Sequence, residues 1–341
     1  MNPQWQQIAR RLSPYSSLIG LAFVFLIFAL HPVSQASFLT ESNLKVILVQ
    51  CVIVGLGAIG MTMIIVSGGI DLSVGSSIAL SSVVAAAVLK SGAGPWAALM
   101  AAMITGLLIG LANGGLITGL RLTPFIVTLG MLGIARGLSK WVADNQTIYI
   151  PRTWINDIMQ VFPAIPPDSP LGKLREAFPA AGFFYLAPGV YIMLGLGAVM
   201  VLVMARTVFG RHIHAVGSNE SCARICGIRT ERTKLGVYAL AGAFFGLAGL
   251  MQMARLQQGD PTTAVGLELD IIAAVIIGGA SLSGGSGSII GSLVGALMMV
   301  VLRNGTFQMG LPNYFQEIMI GAVIVAAVTL DRIRNRNQGA T

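Results

Sequence analysis

The sequence has 341 residues, of which 55% are hydrophobic and 10% are charged. A typical soluble domain has about 25% charged residues, so this composition excludes an ordinary soluble fold and predicts a chain embedded in lipid. The formal net charge of +8 is interpreted as a topology signal, because lysine and arginine collect in the cytoplasmic loops of membrane proteins. We therefore expect membrane lipid as a partner and no nucleic acid.

Apolar runs follow one another along the chain, and each is interpreted as a membrane helix. Their approximate ranges are 16–31, 44–66, 74–91, 97–120, 122–142, 187–205, 235–254, 269–281, 289–303 and 314–330. The runs at 269–281 and 289–303 are short, and could be half-helices or one broken helix. The predicted fold is all-α, a single polytopic helix bundle of about ten crossings over residues 1–341.

The basic residues test this topology. An even number of crossings places both termini on one side, together with the basic segment 206–234. That side is predicted to be the cytoplasm, and the loop 143–186, whose charges balance, is then periplasmic. Apolar residues between Trp154 and Phe162 suggest either a short amphipathic helix at the membrane surface or an irregular loop packed over the bundle.

Glycine-rich segments interrupt the apolar runs at 67–75 and 278–287. Backbone that leaves a helix at membrane depth must be buried in protein or line an aqueous cavity, although each segment could equally be an interfacial turn. Asp71 could cap the helix that begins near Ser73. The two acidic residues at 268 and 270 could cap the apolar run at 269–281. The candidate translocation-path residues are Ser67, Gly68, Gly69, Asp71, Ser73, Glu268, Asp270, Ser281 and Ser283.

Several functions that sequence motifs could indicate are excluded. No nucleotide-hydrolysis motif is present, so ATP hydrolysis would require another chain. A Gly-x-Gly-x-x-Gly match at 55–60 lies inside an apolar run, where small residues favour helix–helix contact rather than dinucleotide binding. We expect no cofactor, no catalytic residue and no metal site in the basic segment, although it holds His212, His214, Cys222 and Cys226.

The segment 206–234 contains the features of a short, capped helix. Ser218 or Asn219 can cap it, Glu220 lies in its first turn, and Gly227 can end it. A short helix beyond the membrane suits docking into the groove of a partner. A surface helix without a partner is an equally good interpretation.

Four blocks of sequence carry a resemblance to a known family. They are Gly60–Gly75, Thr123–Gly130 with Arg136 and Gly137, Phe209–Ile228 and Glu268–Gly287. The chain resembles the permease subunits of ABC importers for monosaccharides, the ribose, galactose, xylose and arabinose group. The resemblance implies that two permease subunits, as a homodimer or heterodimer, form a pathway in the bacterial inner membrane. It also implies cytoplasmic ATPase subunits that power transport and a periplasmic binding protein that delivers the sugar.

The same resemblance implies that the 217–228 block is the coupling helix, which docks on the ATPase. The implied coupling residues are Gly217, Asn219, Glu220, Ala223, Arg224, Gly227 and Ile228. The predicted function is transport of a monosaccharide or similar polyol by alternating access. The alternative is a stand-alone secondary transporter or channel, which would need intramembrane ionisable residues for ion coupling.

Overall fold

The computed structural model describes residues 16–161 and 185–338, and within these ranges the chain is almost entirely helical. The helices are α1 (Ser16–Leu30), α2 (Gln35–Phe38), α3 (Glu41–Val66), α4 (Val74–Lys90), α5 (Pro95–Gly119), α6 (Pro124–Val142), α7 (Trp154–Ile158), α8 (Pro188–Arg206), α9 (Val208–Ser218), α10 (Glu220–Ile225), α11 (Thr230–Leu256), α12 (Leu267–Ile277), α13 (Ile289–Gln308) and α14 (Asn313–Gln338). Two short strands, β1 (Ile148–Tyr149) and β2 (Gln258–Gly259), pair antiparallel. The predicted all-α class is confirmed.

Each predicted apolar run coincides with a helix. In the described ranges, six helices are long and apolar enough to cross a membrane, namely α3, α5, α6, α8, α11 and α13. The apolar helices α1 and α4 are shorter, and α12 has only 11 residues, too few for a bilayer core that needs about 20. The count of ten crossings and the side of the termini therefore stay predictions.

Helix α13 continues beyond the apolar run that predicted it. The run ends at residue 303, where Arg303 and Asn304 interrupt the apolar residues, whereas the helix continues to Gln308. Arg303 places its Nε 2.8 Å from Asp270 Oδ2, and Asn304 exchanges amide hydrogen bonds of 2.9 Å with Asn43. These polar side chains find partners inside the bundle, so they do not end the helix as hydropathy alone suggests.

Helix α3 lies at the centre of the bundle, and its most apolar stretch is 94% buried. The Gly-x-Gly-x-x-Gly match lies within it, as a regular helical segment. Side chains from three other helices pack directly against its glycines, where added Cβ atoms would meet Met193, Ile271 and Phe245. The interpretation of this motif as a helix-packing surface is confirmed.

The bundle has two distinct ends. The β1–β2 pair brings the segment after α6 beside the segment after α11 at one end. Helices α9 and α10 lie at the other end, separated from β2 by the 27 residues of α11, about 40 Å of helix at ~1.5 Å per residue. The two connections predicted to face opposite sides of the membrane thus lie at opposite ends of the bundle.

The predicted short helix of the outer loop is present as α7. Thr153 and Asn156 form a capping box at its start. Ile155 and Met159 are buried, so α7 packs over the bundle instead of lying on a membrane surface with its apolar side free. Phe162, which was predicted to share this apolar face, lies outside the described residues.

Candidate coupling site and translocation path

Helix α10 is the short capped helix predicted in the basic segment. Asn219, rather than Ser218, caps it, because its Oδ1 accepts a 2.9 Å hydrogen bond from the Cys222 N–H. At the other end Gly227 has φ of +84°, a left-handed conformation that glycine adopts without strain. There the Ile228 N–H donates to the Ala223 carbonyl at 3.0 Å, which closes the helix in the usual glycine-terminated way.

A network of exposed charges ties α10 to the start of α11. Glu220 Oε2 lies 2.6 Å from Lys234 Nζ, and Arg224 lies 2.9 Å from a carboxylate oxygen of Glu231. Surface ion pairs contribute only about 0–1 kcal/mol each, so this network orients α10 more than it stabilises the fold. Its charged atoms remain accessible to a partner.

A cavity of about 540 Å³ opens between α10, the end of α5 and the start of α11, and the charged side chains of the network line it. Ile225 also lines this cavity, and 87% of its surface is exposed. A docking partner could bury this apolar group while pairing with the charges around it. Of the predicted coupling residues, Glu220 and Arg224 line this cavity, whereas the side chain of Ala223, also on α10, is buried.

Sequence reasoning missed α9, which leads from α8 into α10. Thr207 caps it by accepting a hydrogen bond from the Gly210 N–H. Its buried residues are Gly210, Ile213 and Val216, a spacing of three that is typical of one helix face. This spacing was present in the sequence, but glycines and histidines between the apolar positions obscured it.

The end of α9 contacts both glycine-rich segments at one point, which we call the glycine junction: Gly68, Gly217, Gly284 and Gly285. The Gly285 N–H donates a 2.9 Å hydrogen bond to the Val66 carbonyl at the end of α3. The Gly285 carbonyl lies 3.0 Å from His214 Nδ1; because a carbonyl can only accept, this bond places the imidazole proton on Nδ1.

At the glycine junction, the backbone of α9 is in direct contact with the backbones of the two glycine-rich segments. A methyl group added at Gly217 would overlap the Val66 carbonyl oxygen and lie 2.7 Å from the Gly285 nitrogen. A methyl group at Gly284 would lie 2.6 Å from the Gly217 carbonyl oxygen and 3.1 Å from the Gly68 Cα. The three segments can approach this closely only because glycine has no Cβ.

Asp71 anchors the first glycine-rich segment. Its buried carboxylate accepts hydrogen bonds from the Ser73 N–H at 2.7 Å and the Ser73 hydroxyl at 2.6 Å, and from the Asn113 amide at 3.2 Å. These contacts fit the capping interpretation and fasten the start of α4 to α5. Ser67 is likewise buried and donates to the Ile64 carbonyl, while Gly69 packs beneath the Tyr238 hydroxyl.

The second glycine-rich segment forms a closed turn. The Ser281 N–H donates to the Ser286 carbonyl at 3.0 Å, and the Ser283 N–H lies 3.3 Å from the Ser281 hydroxyl oxygen. This turn lies against the glycine junction, at the α9 end of the bundle. A role in the pathway for its two serines stays a prediction.

The candidate path residues do not form one cluster. Asp270 and Glu268 lie in the first turn of α12, whereas Ser281 and Ser283 lie in the turn after its end. Asp270 lines a cavity of about 320 Å³, whereas Glu268 packs against Gly75. Nearby, Arg136 donates to the carbonyls of Pro261 and Thr263 at 2.9 and 2.6 Å, which holds the chain that enters α12.

Comparison with known proteins supplies the family. Residues 43–328 match the model of a family described as the permease component of a branched-chain amino acid transport system. The chain belongs to this family of permease components. It is a multi-pass integral protein of the inner membrane, and the resemblance carried by its four sequence blocks is confirmed.

Curated relatives of this permease cover almost all of its length. It is 38% identical to the ribose import permease protein of Bacillus subtilis, over 95% of this chain and 94% of that protein. It is 35% identical to the ribose import permease protein of Escherichia coli K12, over 94% of each chain. It is 31% identical to an L-arabinose ABC transporter permease protein of Azospirillum brasilense, over 98% of this chain and 90% of that protein. No solved structure matches the chain.

Proposed function

We propose that this permease conducts a monosaccharide or similar polyol into the cytoplasm as part of an ATP-driven importer. Relatives named for ribose and L-arabinose import, aligned over at least nine tenths of each chain, support the substrate class. The proposed partners are cytoplasmic ATPase subunits, a periplasmic sugar-binding protein and a second permease subunit. The ATPase would dock on α10, and the binding protein would approach the 143–186 face.

One observation carries this proposal: α9, the helix that leads into the proposed docking helix α10, contacts both glycine-rich segments. Asn219 separates α10 from α9, whose Gly217 contacts the end of α3 and the turn between α12 and α13. Because the contact is between backbones, a displacement of α9 towards these segments must move at least one of them. A partner that binds one position of α10 more tightly would thereby shift the equilibrium between two states of the bundle.

The same helices reach the cavity in the other half of the protein. Helix α3 contributes Gln50 to its lining, α12 contributes Asp270, and α13 contributes Arg303. Movement at the glycine junction would therefore be transmitted along three helices to the space around these side chains. This connection supports an alternating-access mechanism in which one end of the pathway responds to ATP hydrolysed at the other.

Reconstitution tests the proposed function. The purified permease is placed in liposomes alone, or together with the ATPase and binding protein of its own importer. Uptake of radiolabelled D-ribose, L-arabinose and D-allose is then measured. We expect ATP-dependent uptake of at least one sugar by the complete complex and none by the permease alone. ATP-independent uptake by the permease alone would instead support a stand-alone transporter or channel.

A further inference from the structure

We propose that the 320 Å³ cavity at the start of α12 is the site where the permease holds one neutral, polyhydroxylated solute during transport. This inference rests on the proposed function and assigns it a place in the molecule. The cavity lies between α3, α11, α13 and α14 and the chain that enters α12. The long helices α3, α11 and α13 each contribute lining residues. These residues come mainly from the half of each helix that lies farther from the glycine junction.

The strongest observation is a carboxylate oxygen that lacks a partner. Asp270 lines the cavity and is only 1% exposed. Its Oδ2 lies 2.8 Å from Arg303 Nε, but among the described residues no group donates a hydrogen bond to its Oδ1. A buried acceptor without a partner is destabilising, and more so when it is charged. A hydroxyl group of a bound solute would supply the missing donor.

Arg303 complements this acceptor with donors. Its side chain is 40% exposed and lines the same cavity. An arginine has five N–H donors, so the Oδ2 contact leaves others free to face the solute. Carboxylate and guanidinium groups side by side can accept from one hydroxyl and donate to its neighbour, which is the pattern that adjacent hydroxyls of a sugar require.

The remaining polar lining consists of Arg255 and four carboxamides: Gln50, Gln252, Asn304 and Gln316. A carboxamide both donates and accepts hydrogen bonds, as a hydroxyl does. Two of the carboxamides are held in place, because Gln252 donates to the Thr263 hydroxyl at 2.6 Å and Asn304 pairs with Asn43. Such preorganisation lowers the entropy lost on binding.

The cavity also has the size and position expected of a transport site. Ligand pockets usually have volumes of about 300–1,000 Å³, so 320 Å³ suits a single small molecule. Transporters commonly bind substrate where discontinuous helices begin inside the bundle, and α12 has only 11 residues. The exposed ring of Phe307 lines one side and offers a flat apolar surface to the C–H face of a sugar ring.

The curated relatives favour a polyol over an amino acid as the occupant, because they are named for ribose and L-arabinose import. The family description names branched-chain amino acids instead. In the lining, Asp270 and Arg303 compensate each other's charge, Arg255 adds a second guanidinium, and carboxamides lie around them. Leucine is therefore the appropriate competing probe.

A bulky substitution tests the site without removing the buried ion pair. Val265 lines the cavity and is 71% exposed, so Val265→Trp would fill the space with little disturbance of the packing. Leu269→Trp is the matched control, because Leu269 is 48% exposed and is not part of the cavity lining. In the complete importer, we expect Val265→Trp to lower sugar uptake at least roughly tenfold, and Leu269→Trp to leave it near the wild-type rate.

A second measurement keeps the inference testable if Val265→Trp does not fold. The Val265→Cys importer is treated with N-ethylmaleimide, and labelling of residue 265 is followed by mass spectrometry. We expect the transported sugar, delivered by its binding protein, to slow labelling, and leucine to have no effect. Protection by leucine alone, or by neither solute, would overturn the assignment.

The outcomes separate this inference from the function on which it rests. A wild-type importer that takes up none of the three sugars contradicts the proposed function itself. A wild-type importer that transports a sugar, and whose Val265→Trp and Leu269→Trp variants transport it equally well, supports the function and overturns the cavity assignment.

Discussion

Reversing the charge of Glu220 should abolish transport while the permease still folds. We expect Glu220→Lys to lower ATP-driven sugar uptake at least roughly a hundredfold, because removing one partner of a buried interfacial charge pair costs about 2–5 kcal/mol. Within the permease the substitution breaks only the exposed contacts to Lys234 and Arg224, and exposed pairs contribute about 0.2–1 kcal/mol to folding. The effect on docking should therefore far exceed the effect on stability. Uptake in reconstituted importers and the thermal stability of the purified permease measure the two separately.

Two further variants show whether Glu220 acts on the ATPase or only within the permease. Glu220→Lys combined with Lys234→Glu restores an opposite-charge pair between α10 and α11. If Glu220 contacts the ATPase, uptake stays low in this double variant; recovery would show that its role is internal. Glu41→Lys is the matched single control, since Glu41 is exposed and pairs with Lys45 at the start of α3, away from the cavity beside α10.

The second large effect is expected at the glycine junction. Gly217→Val should eliminate sugar-stimulated ATP hydrolysis and uptake, because the new side chain would overlap the Val66 carbonyl oxygen. Over-filling a packed site typically costs about 1–3 kcal/mol, so we expect the protein to fold with α9 displaced from the two glycine-rich segments. ATP hydrolysis with and without the sugar-loaded binding protein, measured in the reconstituted complex, reports the loss of coupling.

Gly195→Val provides the comparison for this variant. Gly195 is also a helical glycine, on α8, but a Cβ atom there meets nothing within 4 Å. The same added bulk should leave uptake near the wild-type rate. Wild-type transport by Gly217→Val would refute the idea that this backbone contact carries the motion.

Local features of this fold were predictable, and contacts between distant segments were not. The apolar run at 44–66 predicted the buried helix α3, because its length and composition admit no other element in lipid. A cap at Ser218 or Asn219 and an end at Gly227 followed from residue type and spacing alone, and the structure selects Asn219. In contrast, the helical residues beyond Arg303 were missed, because the partners that make Arg303 and Asn304 acceptable inside the bundle lie in other helices.

In the candidate site, too, single residues were predictable from the sequence and contacts between distant residues were not. Asp270 was named as a possible cap of the apolar run at 269–281, and it also lines a cavity. The glycine junction was beyond reach, since His214 and Gly285 are 71 residues apart and no periodicity relates them. The candidate path residues also lie in separate segments, since Asp270 lines the cavity and Ser281 lies in the turn after α12; no sequence pattern relates these positions.

The central claim is that α10 lies on the cytoplasmic face, where an ATPase can reach it. The chain carries its own probes, because Cys222 and Cys226 on this segment are exposed whereas Cys51 is buried. We expect a membrane-impermeant maleimide to label Cys222 and Cys226 in inside-out vesicles, and bound ATPase to block that labelling. Labelling of these two cysteines from outside intact cells would place the segment in the periplasm and contradict the mechanism proposed for this permease.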